Sequence, residues 1–408
     1  MRSVGRRVTA VLLAPVLVGL VASCGASSQT RTQARARPKD AAFQHPGVLV
    51  SKGQLDTVRK HVNAGNQPWL KAFLDMRDSK YGSYKYQAKP YASVDCPGGD
   101  KSAKPVHGCV EEREDAIAAY TQALLFGITG KQEHADKARE IMDAWSAKVK
   151  GHTEEDAGLQ TAWAGSTWSR AAELVRYTPG AGWPADRVER FRTMLRTAYL
   201  PEVTKKVPDF NGNWDLAMTD AAIGIAVFLD DHQAFDDALE RFRQRVPAYF
   251  YLQKDGHVPL TPVGSTVDTP QKMTTYWFGQ QRYMDGVAQE TCRNFKHVGY
   301  SLAATAHIAE TAWHQGVDLY RDVKDRLKAA LDFHARYQMG EAAPAWLCGG
   351  KVDRNMGPDV EVALNHLENR LDVHVPAAHK LVEQTRPAGT DDLFVSWETL
   401  THAGNPAD

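Results

Sequence analysis

Through most of this chain apolar residues recur at spacings of three and four, and almost nowhere do they alternate. That spacing draws one stripe along a helix of 3.6 residues per turn, whereas a half-buried strand needs a period of two. The stripe runs through segments 54–63, 69–78, 113–126, 134–149, 157–177, 187–200, 214–229, 232–249, 295–313 and 319–337. Helix-breaking residues separate them: Gly127 to Gly130, Pro179-Gly180 with Gly182, and Asp230-Asp231. Long helices joined by short breaks form antiparallel hairpins. A hairpin cannot bury its stripes alone, so hairpins in one domain stack as a solenoid or close as an (α/α) toroid. No fixed repeat period runs through the segments, which disfavours a solenoid. The expected fold is therefore all-α, an (α/α) toroid in a single large domain over residues 43–408.

The N-terminus reads differently. Arg2, Arg6 and Arg7 precede an apolar run from Val8 to Val21, the charge and length pattern of a secretory signal, too short to span a bilayer as a mature helix. Val21-Ala22-Ser23-Cys24-Gly25 follows and resembles the bacterial lipobox, in which the cysteine is lipidated and becomes the mature first residue. Residues 1–23 are expected to be a lipoprotein signal peptide, with an ordinary signal peptide as the alternative. Residues 24–42 are expected to be a disordered tether, because they hold too little apolar surface to offset the ordering entropy. The chain is thus expected outside the cytoplasm, on the membrane only through its lipid.

Cys96, Cys109, Cys292 and Cys348 remain, an even number that suggests two bridges in an exported chain. Cys96 and Cys109 flank a Gly- and Pro-rich loop that a short-range bridge would close, though three pairings are open. No Cys-x-x-Cys or His-x-x-x-His spacing points to zinc. The 49 basic and 49 acidic residues balance and are interspersed, which argues against a nucleic-acid partner. An acidic ligand would need a local cationic groove. Oligomeric state leaves no mark.

Three constellations carry chemistry. Arg293, His297 and Tyr300 share an arc of about 60° on a helix beginning near Thr291, opposite Phe295, Val298 and Leu302. Asn213 stands at the start of the segment ending at Leu229, where capping alone would explain it. The stretch 254–281 is rich in Gly and Pro and reads as a long loop holding His257 and the cluster Tyr276-Trp277-Phe278-Gly279-Gln280, whose aromatic faces could stack on sugar rings.

Arg293 followed by Tyr300, with Asn213 upstream at a helix start, resembles the alginate lyase superfamily of (α/α) toroids. Phe43 to Gly47, Asp115 to Tyr120, Ala144-Trp145 and Trp163-Ala164 agree with it, and Asp285 to Arg293 is most similar to polysaccharide lyase family 38, which acts on mannuronan or glucuronan. The resemblance implies cleavage of an acidic polysaccharide by β-elimination without metal or cofactor. In it Asn213 and Arg293 neutralise the uronate carboxylate and Tyr300 protonates the leaving oxygen. In better-known members a histidine follows the Asn directly; here Trp214 does. His257 and His297 are the candidate bases, with His366 a third, for an anti elimination; in a syn elimination Tyr300 itself is the candidate for both base and acid. Trp214, Tyr276, Trp277 and Gln280, together with Asn365, His366 and Arg370, are the expected substrate contacts. A phenol near a cation should have a lowered pKa. Two alternatives stand beside the lyase: a toroid glycoside hydrolase using two carboxyl groups from Asp209, Asp215, Asp220, Glu290 and Glu310, and a lipoprotein that only binds polysaccharide.

Overall fold

The computed structural model describes residues 41–98 and 106–407, with Met1 and Gly5. Apart from Met1 and Gly5, the expected signal peptide, Cys24 and all but the last two residues of the tether lie outside the described residues. Ala36–Asp408 forms one compact unit. It opens with α1 (Lys52–Asn63) and α2 (Trp69–Asp78), followed by the hairpin of α3 (Cys109–Thr129) and α4 (Gln132–Ser146). Next, α5 (Ala157–Tyr177) turns into α6 (Ala185–Met194), which continues through a π turn at Leu195–Tyr199 into α7 (Leu200–Val203). After the pair α8 (Gly212–Leu229) and α9 (His232–Tyr249) come α10 (Pro270–Tyr276), α11 (Phe295–His314) and α12 (Tyr320–Gln338). The chain ends in α13 (Glu361–Asn365), α14 (Pro376–Thr385) and α15 (Glu398–His402).

Burial pattern decides which helices stand inside. Every residue of α8 except Trp214 is buried, as expected of a helix walled in on all sides. In α9, Ala234, Phe235, Ala238, Leu239 and Phe242 are buried while Gln233, Asp236, Asp237, Glu240 and Arg243 face solvent. Accordingly α3, α5, α8 and α11 pack side by side as an inner wall that continues through α13, α15 and α1 back to α3, while α4, α9 and α12 back α3, α8 and α11. The architecture is the expected (α/α) toroid.

Buried polar groups tie the wall together, since a lone buried charge would be costly. Arg170 of α5 donates to Asp220 of α8 at 2.7 Å, and His307 of α11 bridges Asp220 to Glu398 of α15 at 3.2 and 2.6 Å. A two-stranded parallel pair, β1 (Ser93–Asp95) on β2 (Gly151–Thr153), leads into a disulfide between Cys96 and Cys109 at the start of α3. The second disulfide joins Cys292 to Cys348.

Two expectations need correction. Segment 254–281 is not loop throughout: Thr269 caps α10 by accepting from the Lys272 amide, with Pro270 in the first turn. Helix α11 begins at Phe295 rather than near Thr291, because Asn294 caps it.

Candidate active site

The inner helices run parallel, so their N-terminal turns gather at one mouth. There they border a cleft of about 470 Å³. Arg113 comes from α3, Gln160 and Trp163 from α5, Asn213 and Trp214 from α8, and Arg293, Lys296, His297 and Tyr300 from α11 and the turn before it. Helix N-termini carry partial positive charge, which favours an anion, although the first amides of α8 and α11 are bonded to Gln289, Glu290, Asn355 and Asn294. Of the charged side chains lining the cleft, Arg113, Arg293 and Lys296 are basic and Asp156 acidic. A chain with no net charge has thereby built a local cationic groove. A larger cavity of about 1270 Å³ lies at the C-terminal ends of α3 and α5 and holds none of the expected site residues.

Glu290 organises the groove. Its carboxylate is fully buried and accepts from Asn213 Nδ2 at 2.8 Å on both oxygens, from the Asn213 amide at 3.2 Å, from Arg293 Nη1 at 2.7 Å and from Tyr249 at 3.0 Å. A carboxylate only accepts, so the nitrogen of the Asn213 amide must face it. Its two oxygens subtend too narrow an angle to take both hydrogens linearly, which leaves one N–H of Asn213 for the cleft. Arg293 is likewise pinned by one nitrogen and keeps Nε and Nη2 without a protein acceptor among the described residues. Asn213 is therefore no helix cap: Asn211 precedes the helix, and Asn213 is held inside its first turn by Glu290. Sequence reasoning placed Glu290 only among hydrolase candidates. Its position three residues before Arg293 was the available signal.

His297 and Tyr300 stand on one edge of α11, their rings 5.8 Å apart. Burial, with Arg293 and Lys296 adding to it, pushes the His297 pKa down to about 4, so the imidazole is neutral at neutral pH. Tyr300 is 5% exposed, and its ring meets Trp163 and Phe394 edge-on. Burial raises its pKa well above the usual phenol value, Asp391 and Asp359 push the same way, and Arg113 opposes them weakly. The expected lowering is thus overturned, because desolvation outweighs the pull of Arg113, and Lys296, 5.9 Å from the ring, does not reverse it.

Several expected contacts are elsewhere. Trp277 is 1% exposed in a core with Tyr251, Phe333 and Leu347, so it offers no sugar platform. Gln280 is buried, accepting from the Cys348 amide and donating to the Trp346 carbonyl. Tyr276 braces the scaffold by donating to the Phe210 carbonyl and accepting from Arg245. Asn365 and His366 are buried, and His366 and Arg370 surround the buried Glu310, with Arg370 Nη1 2.8 Å from it. A buried carboxylate needs such partners, which accounts for that cluster without a ligand. His257 is exposed on its loop and does not line the cleft. Trp214 does line it, edge-on to the exposed Phe210 at 5.1 Å. Phe278 is 37% exposed at φ 53°, a left-handed backbone uncommon outside glycine, with the Arg293 guanidinium 5.9 Å from its ring. None of Asp209, Asp215, Asp220, Glu290 and Glu310 lines the cleft, which removes the carboxyl pair a hydrolase would take from them.

A toroid whose cationic mouth holds an imidazole, a phenol and a guanidinium defines a polysaccharide lyase. The alginate lyase family model matches residues 99–260 and 269–344, more than half of the chain, and the chain belongs to that family. No curated protein matches it. The crystal structure of alginate lyase A1-III from Sphingomonas species A1 superposes with a TM-score of 0.60 at 17% identity, over 90% of this chain and 99% of that one. A variant of A1-III complexed with a tetrasaccharide gives a TM-score of 0.62 at 17% identity over the same shares. An alginate lyase from Bacteroides ovatus gives 0.55 at 14% identity, over 88% of this chain and 99% of that one.

Proposed function

We propose that this lyase cleaves β-1,4-linked mannuronan or glucuronan by syn β-elimination, leaving a 4,5-unsaturated uronate end. The observation that carries the reading is the placement of His297 beside Tyr300 on one helix edge. In D-mannuronate and D-glucuronate the C5 hydrogen and the C4 oxygen lie on the same side of the ring, so base and acid must approach from one face. Guluronate has them on opposite faces and would need the base across the cleft. Arg293, with the remaining N–H of Asn213, binds the C6 carboxylate and favours the charge that develops there. His297 takes the C5 proton; the freed pair forms the C4–C5 double bond as the C4–O bond breaks, and Tyr300 protonates the leaving oxygen. The likeness of the stretch before Arg293 to polysaccharide lyase family 38 supports the same substrates.

Polymannuronate, polyguluronate and glucuronan assayed for ultraviolet absorbance of the new double bond test the proposal. Absorbance should rise on polymannuronate or glucuronan and stay flat on polyguluronate. A rise on polyguluronate alone overturns the stereochemical argument, and retention of polymer without any rise favours a binding protein.

Phe278, rather than Trp277, is the aromatic we assign to a sugar face. Phe278→Ala should raise KM about two- to tenfold, the worth of a ring contact of roughly 0.5–1.5 kcal/mol. An unchanged KM removes it from the substrate path.

We also infer export, which the two disulfides support because they persist in oxidising compartments, and lipidation at Cys24, which rests on its lipobox-like surroundings. Labelled fatty acid should enter the wild type and not Cys24→Ser. Equal labelling would point to an ordinary signal peptide.

A further inference from the structure

We propose that Asn294 is a positioning residue that fixes His297 in a single ring tautomer, Nδ1 protonated and Nε2 bearing the lone pair. The inference rests on His297 as the base. Asn294 caps α11, and its Oδ1 accepts the His297 backbone N–H at 3.0 Å. A backbone N–H can only donate, so the atom facing it is the amide oxygen and not the amide nitrogen. The same oxygen lies 2.6 Å from His297 Nδ1. An amide oxygen cannot donate, so Nδ1 must carry the hydrogen, and the tautomer follows from valence. Free imidazole side chains favour hydrogen on Nε2; the cap reverses that preference and leaves Nε2 as the nitrogen able to accept a proton.

Capping alone does not explain the choice of Asn, since Ser, Thr or Asp caps as well. An Asp would meet Nδ1 with a full negative charge and stabilise imidazolium, so the base would be lost at a higher pH than in the wild type. The charged and titratable groups around the ring share the effect of a neutral partner. Arg293 and Lys296, from its own segment, both disfavour a charged ring, and Tyr300 meets it edge-on, while Arg113 from α3 and Asp156 from the start of α5 line the same cleft.

Two measurements test this. Nitrogen-detected correlation spectra of histidine-labelled protein, with His297→Gln used for assignment, should show His297 protonated on Nδ1. Hydrogen on Nε2 overturns the proposal whatever the activity. In Asn294→Asp, which keeps the cap, the acid limb of kcat/KM should move up by about one to three pH units while the alkaline plateau stays near wild type. A uniform fall with an unmoved limb would mean Asn294 serves the helix only and overturns the proposal. Full turnover by His297→Gln would instead overturn the assignment of the base, a failure separable from the first because the spectrum reads the tautomer without catalysis.

Discussion

Tyr300→Phe is expected to lower kcat by about 10²- to 10⁴-fold, the usual worth of one positioned proton donor, and to leave the unfolding curve in place. The hydroxyl makes no hydrogen bond with the described residues, so its removal deletes no fold contact. The ring stays, and with it the edge contacts to Trp163, His297 and Phe394. The sign of the pKa displacement matters. Raised by burial above the usual phenol value, Tyr300 holds its proton through neutral pH and beyond, as an acid must. His297, lowered to about 4, is deprotonated over the same range, as a base must be. kcat/KM of the wild type should therefore fall on the acid side near pH 4 and run flat through neutrality. Stopped assays on polymannuronate or glucuronan check both statements, and a Tyr300→Phe enzyme keeping more than a tenth of its turnover would remove Tyr300 from the reaction.

Glu290→Gln should be the second most damaging change, although Glu290 itself lies beneath the cleft. Four donors converge on its carboxylate: the Asn213 side-chain amide, the Asn213 backbone N–H, the Arg293 guanidinium and the Tyr249 hydroxyl. A Gln of the same shape presents one acceptor and one donor, and its NH₂ group would confront a donor it cannot satisfy. Arg293 is partly exposed and can rehydrate, so the stability cost should sit near that of an unpaired buried polar group, about 1–3 kcal/mol. Released from its anchor, Arg293 no longer meets the uronate carboxylate in register, and kcat/KM should fall by roughly 10²- to 10³-fold. A double-mutant cycle with Arg293→Lys should be strongly non-additive, since both changes undo the same alignment. Glu290→Gln with kcat/KM within twofold of wild type would show that the cleft holds its shape unaided.

How far the sequence foretells this site depends on what each residue type reveals. The long helices stand out: α2, α5 and α9 occupy the segments 69–78, 157–177 and 232–249 expected from their apolar stripes. α10, α13 and α15 span seven, five and five residues, too few turns to display a period. Arg293, His297, Tyr300, Asn213 and Trp214 were legible as cleft residues. Trp277, Gln280 and His366 were misread, because a residue's chemistry does not disclose that it is buried. The sign of the Tyr300 displacement was missed for that reason too. Fragments that helped place the chain in its family turn out to be structural. Asp115 binds Trp145 at 2.6 Å and Tyr86 at 2.8 Å, and His45 with the Gly47 amide meets the buried Glu173.

The parallel course of the inner helices carries one consequence beyond this chain. Part of the pull on a polyanion comes from the aligned main-chain dipoles of these helices, which do not depend on side-chain identity. Mutation can rewrite the side chains around the rim, and so change which sugar is preferred, without switching that pull off. A scaffold so made tolerates heavy sequence drift while still drawing in acidic polymers.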